Sequence, residues 1–348
     1  MRFPAVSFSS SAGRRTTGRS PRDLSRAYAA GELVRLRRGI YVPVGEWLAG
    51  TAEDRYAITT ASLALAEEPP VLCRETALMA WGVEFARTPT HVRYRTASPA
   101  RAGSVRPTGL YGNEPEAVRA WTQTHKRAGP LPQGFPHAKH LWTPGPSESF
   151  YVPHLGLALR IEPFDAAFAD TIHRLPFAEA VVVVDALLAQ RSGLKAQRSL
   201  SQLRALVPTL PSASARVRAQ CVLDFGDGVS ESVGESFGRA LMWELGFETP
   251  ELQVWILRAG RRIARVDYLW RSIRLVGEFD GLKKYLRSLE LSGKSAAQVV
   301  VEEKRREDEV RGCGYGMVRW TWADLMEPQR FAAILHRAGV PRRQSAPL

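Results

Sequence analysis

Cysteine is scarce. Cys73, Cys221 and Cys313 are the three present in 348 residues, far apart, odd in number and without metal-type spacing. A disulfide framework or a cysteine zinc knuckle is therefore not expected. No run of eighteen apolar residues occurs, so no membrane-spanning helix is expected. The first twenty residues lack the apolar centre of a secretory signal, which points to a cytoplasmic protein. No phosphate-cradling glycine loop, no Ser-His-Asp order and no internal repeat is present. His125, His137, His140 and His154 cluster in sequence, but their irregular spacing is not that of a zinc site.

What is present is ordinary in amount and uneven in placement. Hydrophobic residues make up 45% and charged residues 24%, the composition of a globular protein. The length suggests two domains, or three small ones. The net charge is +13. Residues 1–223 hold 28 Lys and Arg against 17 Asp and Glu, a balance of +11; residues 224–338 hold 18 of each. The positive field that would attract a polyanion thus belongs to the front of the chain. The acids are gathered in the back.

Residues 1–19 are rich in Ser, Gly and Arg without periodicity, and read as disordered. Ser20-Pro21-Arg22-Asp23 is a helix start, with Ser20 as N-cap and Pro21 in the first position. The helix runs to about Ala30, and Gly31 ends it. Leu33 to Leu36 and Ile40 to Val42 read as two strands around a tight turn at Arg37-Arg38-Gly39. A helix followed by a basic hairpin is the geometry of a recognition helix and wing. Arg22 and Arg26 share a helical face, and Arg35, Arg37 and Arg38 sit on the hairpin, where all five could grip DNA phosphates. Residues 98–150 read as loops with some strands. Residues 208–229 read as a linker.

The back of the chain is more regular. Its pattern is helix, three strands, helix, strand, helix. Glu231 to Leu245 is an amphipathic helix closed by Gly246, and Ala296 to Arg311 is a charged helix closed by Gly312. Between them, Arg262 to Trp270 and Ile273 to Asp280 read as a hairpin about a two-residue turn, Arg271-Ser272. That turn sets Asp267 across from Val276 and Glu278 across from Arg265. By alternation, Asp267, Glu278 and Asp280 project from one side. Val266, Tyr268, Trp270, Ile273, Leu275 and Phe279 form the apolar other side. Crowded carboxylates repel, and a hard divalent cation, Mg²⁺ or Mn²⁺, would relieve them. Such an ion polarises a phosphate and acidifies an attacking water. Glu235, on the preceding helix, could reach the same ion. Lys284 and Lys304 are candidates to neutralise the charge that develops on the phosphate.

These residues also carry a resemblance. Glu235, Pro250, Gln253, Val266-Asp267-Tyr268, Glu278-Phe279-Asp280-Gly281, Lys284-Tyr285, Glu303 to Asp308, Gly314 and Val318-Arg319-Trp320 stand in the order seen in very-short-patch-repair-like endonuclease domains of the PD-(D/E)XK superfamily. The resemblance covers Ser230 to Leu325 and implies a restriction-endonuclease-like αβββαβ core at 230–338. It implies a metal-dependent deoxyribonuclease in which Asp267 and Glu278 are metal ligands and Glu235 is the helix-borne acid. One position departs from the pattern. The motif lysine falls at 280, where this chain has Asp280, so its role passes to Lys284 or Lys304.

Gly31 to Val42, with Glu75-Thr76-Ala77, Trp81-Gly82-Val83 and His91-Val92, is similar to the front of AbiEi-type antitoxins. That similarity implies a partial winged-helix region at 20–95 and a mixed α/β body at 96–207. It also implies DNA and a cognate toxin protein as partners. Two functions are therefore expected to compete. One is a DNA endonuclease with a basic DNA-holding module. The other is a non-catalytic antitoxin-like regulator with a degenerate nuclease fold. A structural scaffold is a third, weaker option.

Overall fold

The computed structural model describes residues 1–10, 20–126, 128–141, 145–189, 196–281 and 296–343. They divide into two compact units: Met1–Thr171 with Gly193–Ala196, and Ile172–Ser192 with Gln197–Leu348. Each mixes helices with a sheet, so the chain is of the α/β class. Among the described residues, no helix is long and apolar enough to cross a membrane.

The first unit opens with β1 (Ser9–Ser10), α1 (Pro21–Ala29), β2 (Leu33–Arg37), β3 (Ile40–Pro43), α2 (Val44–Ala49) and α3 (Ala52–Ser62). The start of α1 follows from its sequence. Ser20 accepts a hydrogen bond from the Asp23 N–H, and the Asp23 carboxylate accepts from the Ser20 N–H, closing a capping box ahead of Pro21. Gly31 and Gly39 take the left-handed backbone that the turns after α1 and between β2 and β3 require. Leu24 and Ala27 of α1 pack on Leu33 and Tyr41 of the hairpin.

Residues 1–10 are not the disordered leader expected. β1 pairs with β3, Ser9 with Tyr41 and Ser10 with Ile40, and Phe3 and Phe8 are buried. Two aromatic anchors and an open hairpin edge outweigh the polar composition of the segment. Residues 11–19 lie outside the described residues.

The unit continues with β4 (Val71–Leu72), α4 (Arg74–Ala80), β5 (Val92–Thr96), β6 (Gly103–Val105), α5 (Glu114–His125), β7 (His137–Leu141), β8 (Glu148–Val152), β9 (Leu157–Ile161) and α6 (Phe164–Ile172). The six strands form one mixed sheet in the order β6-β7-β5-β4-β9-β8. The boundary expected between residues 95 and 96 therefore falls inside β5, and the regions on either side of it share a sheet. The stretch expected to be mostly loop supplies α5, β7 and β8, whose short, half-exposed strands carry little periodic signal.

The second unit begins with α7 (Phe177–Leu188), α8 (Leu200–Leu206) and α9 (Ala213–Phe225). In place of the expected linker at 208–229, α9 starts on a Ser212 cap and buries Ala215, Ala219, Val222 and Leu223. The Pro and Ser residues that read as a linker are its capping sequence. The unit then runs through α10 (Val233–Glu244), β10 (Glu251–Arg258), β11 (Arg261–Trp270), β12 (Leu275–Asp280), α11 (Ala296–Gly312), β13 (Gly316–Thr321), α12 (Trp322–Leu325) and α13 (Pro328–Arg337). The sheet order is β10-β11-β12-β13, antiparallel except for the last pair, which is parallel. Among the described residues, the order from α10 to α12 is the one read from the sequence.

Both faces of this sheet are packed. On one lie Tyr268, Trp270, Phe279 and Trp320, with Phe331 of α13 on Trp320. On the other, Leu269 and Val276 cluster with Val310 of α11. Helix α10 approaches closely because Gly234 has no side chain: a Cβ there would lie 2.0 Å from the Phe279 ring. Gly234→Ala is expected to cost about 1–3 kcal/mol by overpacking, read as a lower midpoint of chemical denaturation.

Candidate active site

The site begins at a turn. The ladder pairs Trp270 with Leu275, Leu269 with Val276 and Tyr268 with Gly277, so the turn takes Arg271 to Arg274 rather than Arg271-Ser272. Arg274 adopts a left-handed backbone (φ 49°), and its guanidinium donates to the carbonyls of Gly314 and Cys313. Ile273, expected on the apolar face, is in the turn and 37% exposed. The true register moves Asp267 away from Val276 and, carried one step beyond Tyr268–Gly277, sets it across from Glu278. A two-residue offset keeps side chains on their face. The offset therefore left the grouping of the acids readable while the pairing was not.

The ladder between β11 and β12 stops at that point. The Phe279 N–H donates to Asp267 Oδ2 at 3.1 Å. Across β11 from it, Gln253 has a left-handed backbone (φ 52°) and donates through Nε2 to Asp267 Oδ1 at 3.2 Å. The strands thus splay around one carboxylate. The same Gln253 amide donates to Glu235 Oε2 at 2.8 Å. Glu235 is 1% exposed and also accepts from the Glu231 N–H and the Ser232 hydroxyl. It is a buried cap of α10 that fixes Gln253, and through Gln253 it fixes Asp267.

Glu278 is buried and held from two sides. Arg306 of α11 donates to Oε1 at 2.6 Å, and Arg319 of β13 approaches Oε2 at 3.3 Å. Arg319 also pairs with Glu303 at 3.1 Å and Glu307 at 3.5 Å. Burial raises the Glu278 pKa above the usual carboxylate range; the two arginines oppose the shift, and Asp267 and Asp280 add to it. Asp280 is raised as well, by desolvation first, with Arg319 opposing and Glu303, Asp267 and Glu307 adding. Among the described residues, the carboxylates of this cluster outnumber the two guanidinium groups that meet them.

That imbalance has a measurable sign. An acid whose pKa is raised on folding binds its proton more tightly in the folded chain. Its ionisation therefore removes stability as the pH rises through the raised value. Asp280→Asn is expected to raise the melting temperature of the metal-free protein at neutral pH. The gain should vanish once the pH falls below the ordinary aspartate range, as melts of variant and parent across pH will record.

The other expected residues are dispersed. Lys284 lies outside the described residues. Lys304 is exposed on α11 and, among the described residues, forms no ion pair with Asp267, Glu278 or Asp280. Arg306, two positions on, is the cation that α11 presents to Glu278. Sequence reasoning missed the roles of Gln253, Arg306 and Arg319. The spacing of Glu303, Arg306, Glu307 and Val310 on one helical face was a signal for the arginine. In the first unit, Arg22 and Arg26 point to solvent from α1, and Arg26 lies 3.7 Å from Asp23. Arg35 lies over the Tyr28 ring and donates to the Thr108 carbonyl at 3.4 Å, while Arg37 is half-buried near Tyr94.

The donor set is that of a hard cation: carboxylates on two adjoining strands with an amide behind them. Among the described residues, no group of three or more His, Cys, Asp or Glu side chains is assembled to hold a metal ion. Two carboxylates completed by water and phosphate are nevertheless enough for Mg²⁺. The residual excess of negative charge at Glu278 and Asp280 fits such an ion, with Asp267 and Glu278 as the residues that would hold it.

No protein-family profile matches the chain. Over 122 residues, 35% of its length, it is 31% identical to uncharacterised proteins from two strains of Mycobacterium tuberculosis, H37Rv and CDC 1551 / Oshkosh. The match spans 42% of the length of those relatives.

Proposed function

We propose that the second unit hydrolyses phosphodiester bonds in DNA with Mg²⁺ or Mn²⁺ held by Asp267 and Glu278, and that the basic first unit holds the nucleic acid. The observation that supports this reading is the end of the β11–β12 ladder at Tyr268–Gly277, beyond which the Phe279 N–H, next in sequence to Glu278, donates to the Asp267 carboxylate instead of to a strand carbonyl. A divalent ion there supplies the charge that polarises a phosphate and acidifies water. The chain's own residues do the rest. Gln253 and the Phe279 N–H orient Asp267, and Glu235 anchors Gln253. Arg306 is half-exposed, free to exchange Glu278 for a phosphate oxygen, and takes the charge-neutralising part for which Lys284 and Lys304 were candidates.

The test is cleavage of duplex, nicked and mismatched DNA with either ion, paired with calorimetric titration of the ion. Cleavage that disappears in Asp267→Asn while DNA binding persists supports the reading. Absence of both cleavage and ion binding in the parent protein overturns it.

A specific observation favours a second reading. Asp280 stands where the motif lysine belongs, and Arg306 and Arg319 already occupy Glu278. On that reading the second unit is a nuclease fold without catalysis, and the protein is an antitoxin-like DNA-binding regulator, with a toxin protein as a possible partner. DNA binding without ion uptake would select it.

A further inference from the structure

We propose that the first unit binds single-stranded nucleic acid in an open cleft of about 1170 Å³ between the β2–β3 hairpin and the sheet strands β5, β6 and β7. The proposal rests on the reading of this unit as the nucleic-acid-holding one and is independent of catalysis in the second.

The charge that lines the cleft is mostly positive. Arg35, Arg37 and Arg38 come from the hairpin, Lys139 from β7, and Arg101 and Arg106 flank β6. Glu68 is the one acid among the described lining residues. Arg95, also in the lining, is paired with Glu162 and Asp170. Arg37, Arg38, Arg101, Arg106 and Lys139 have no carboxylate partner among the described residues. Unpaired like charges around a concavity oppose folding, and they focus a field that draws in a polyanion. His137, in the same lining, records that field. Its pKa is pushed down to about 4, by burial first and then by Arg37 and Lys139.

The shape selects among polyanions. Arg38, Arg101 and Arg106 are exposed at the rim, whereas Arg37, Lys139 and Tyr94 are half-buried within. A duplex carries its backbones on the outside of a wide rigid cylinder and meets only the rim. A single strand is narrow enough to enter, lay phosphates on the inner cations and stack a base on Tyr94. A basic groove with an aromatic platform is the recurrent solution for single strands. The volume exceeds the roughly 300–1,000 Å³ of small-ligand sites, as several linked nucleotides require.

The experiment is fluorescence anisotropy of the full chain, in chelator so that no cleavage occurs, with a labelled oligothymidine of about twelve nucleotides. A duplex and an oligouridine of equal length are the other arms. Binding of the oligothymidine should weaken with salt at a log–log slope of about −3.5, near −0.7 for each of some five phosphates engaged. Arg38→Ala with Arg106→Ala should weaken it at least ~10-fold and flatten the slope by about 1.4. Arg38→Lys with Arg106→Lys should restore most of the affinity, and Arg119→Ala on α5 should change nothing. Equal binding of oligouridine supports a cleft that reads backbone, and its exclusion assigns the site to DNA. Duplex binding as tight as single-strand binding, or single-strand binding that ignores the double variant, overturns the cleft but leaves the nucleic-acid-holding role. Failure to bind any of the three overturns both. Melting temperatures of the variants separate loss of the site from loss of fold.

Discussion

Asp185→Ala is expected to lose about 3–5 kcal/mol of unfolding free energy, enough to unfold many domains at physiological temperature. Asp185 is fully buried on α7, and Arg239 of α10 meets both of its oxygens, at 3.1 and 3.0 Å. The Asp227 N–H donates to the same carboxylate at 2.7 Å. Arg239 in turn donates to the Phe225 carbonyl at 2.9 Å and lies over the Phe225 ring. Removing the acid leaves a guanidinium with no compensating charge, which is the costly half of a buried pair. The pair itself stabilises little, because burial raises the Asp185 pKa despite its arginine. Asp185→Leu combined with Arg239→Met should therefore recover most of what either single change loses. A denaturation cycle reads the coupling directly. Additive losses would show that the two residues do not act as a unit.

This ion pair also shows where the sequence was legible and where it was not. Phe177, Ala180, Val184, Leu187 and Leu188 recur at helical spacing, which makes α7 legible as a helix despite its four successive valines. That Asp185 would be an internal partner of Arg239 was not readable, since the two lie 54 residues apart. The same division holds at the candidate site. Period-two alternation found β11 and β12 and grouped Asp267, Glu278 and Asp280. The register was missed because it depends on a four-residue turn whose Arg274 carries a left-handed backbone without being glycine. The second packed face was missed because it depends on Val310, which stands in the charged C-terminal part of its helix, after Glu302 to Glu309. Gln253 was visible as a matching residue, but the backbone that aims its amide at two acids at once is fixed only when three strands meet. In the first unit, a polar segment concealed Phe3 and Phe8, which become buried once β3 offers an edge to pair with.

Asp267→Asn and Glu278→Gln are each expected to lower the proposed cleavage on the order of a thousandfold. Several kcal/mol of stabilisation on the transferring phosphate depends on charge at that ion, and each 1.36 kcal/mol is a factor of ten. Asn and Gln preserve shape, so the loss would report charge. The two variants should differ in a second property. Asp267→Asn puts an amide where the Gln253 amide and the Phe279 N–H both donate, so one hydrogen bond must turn unfavourable and metal-free stability should fall. Glu278→Gln removes a carboxylate already raised by burial, while Arg319 keeps Glu303 and Glu307 as partners. Its melting temperature should hold or rise. Gln253→Ala touches no ion directly and should weaken ion affinity by about 10–100-fold, because it frees Asp267 to rotate. Arg306→Ala separates the two functional readings. If the arginine neutralises phosphate charge, cleavage falls while calorimetric ion affinity improves, since Glu278 is released. If the second unit is non-catalytic, the variant gains no ion affinity and no cleavage exists to lose. Titrating the ion into the parent, Arg306→Ala and Glu278→Gln proteins in parallel therefore decides whether the arginine on Glu278 is part of a working site or a permanent replacement for its metal.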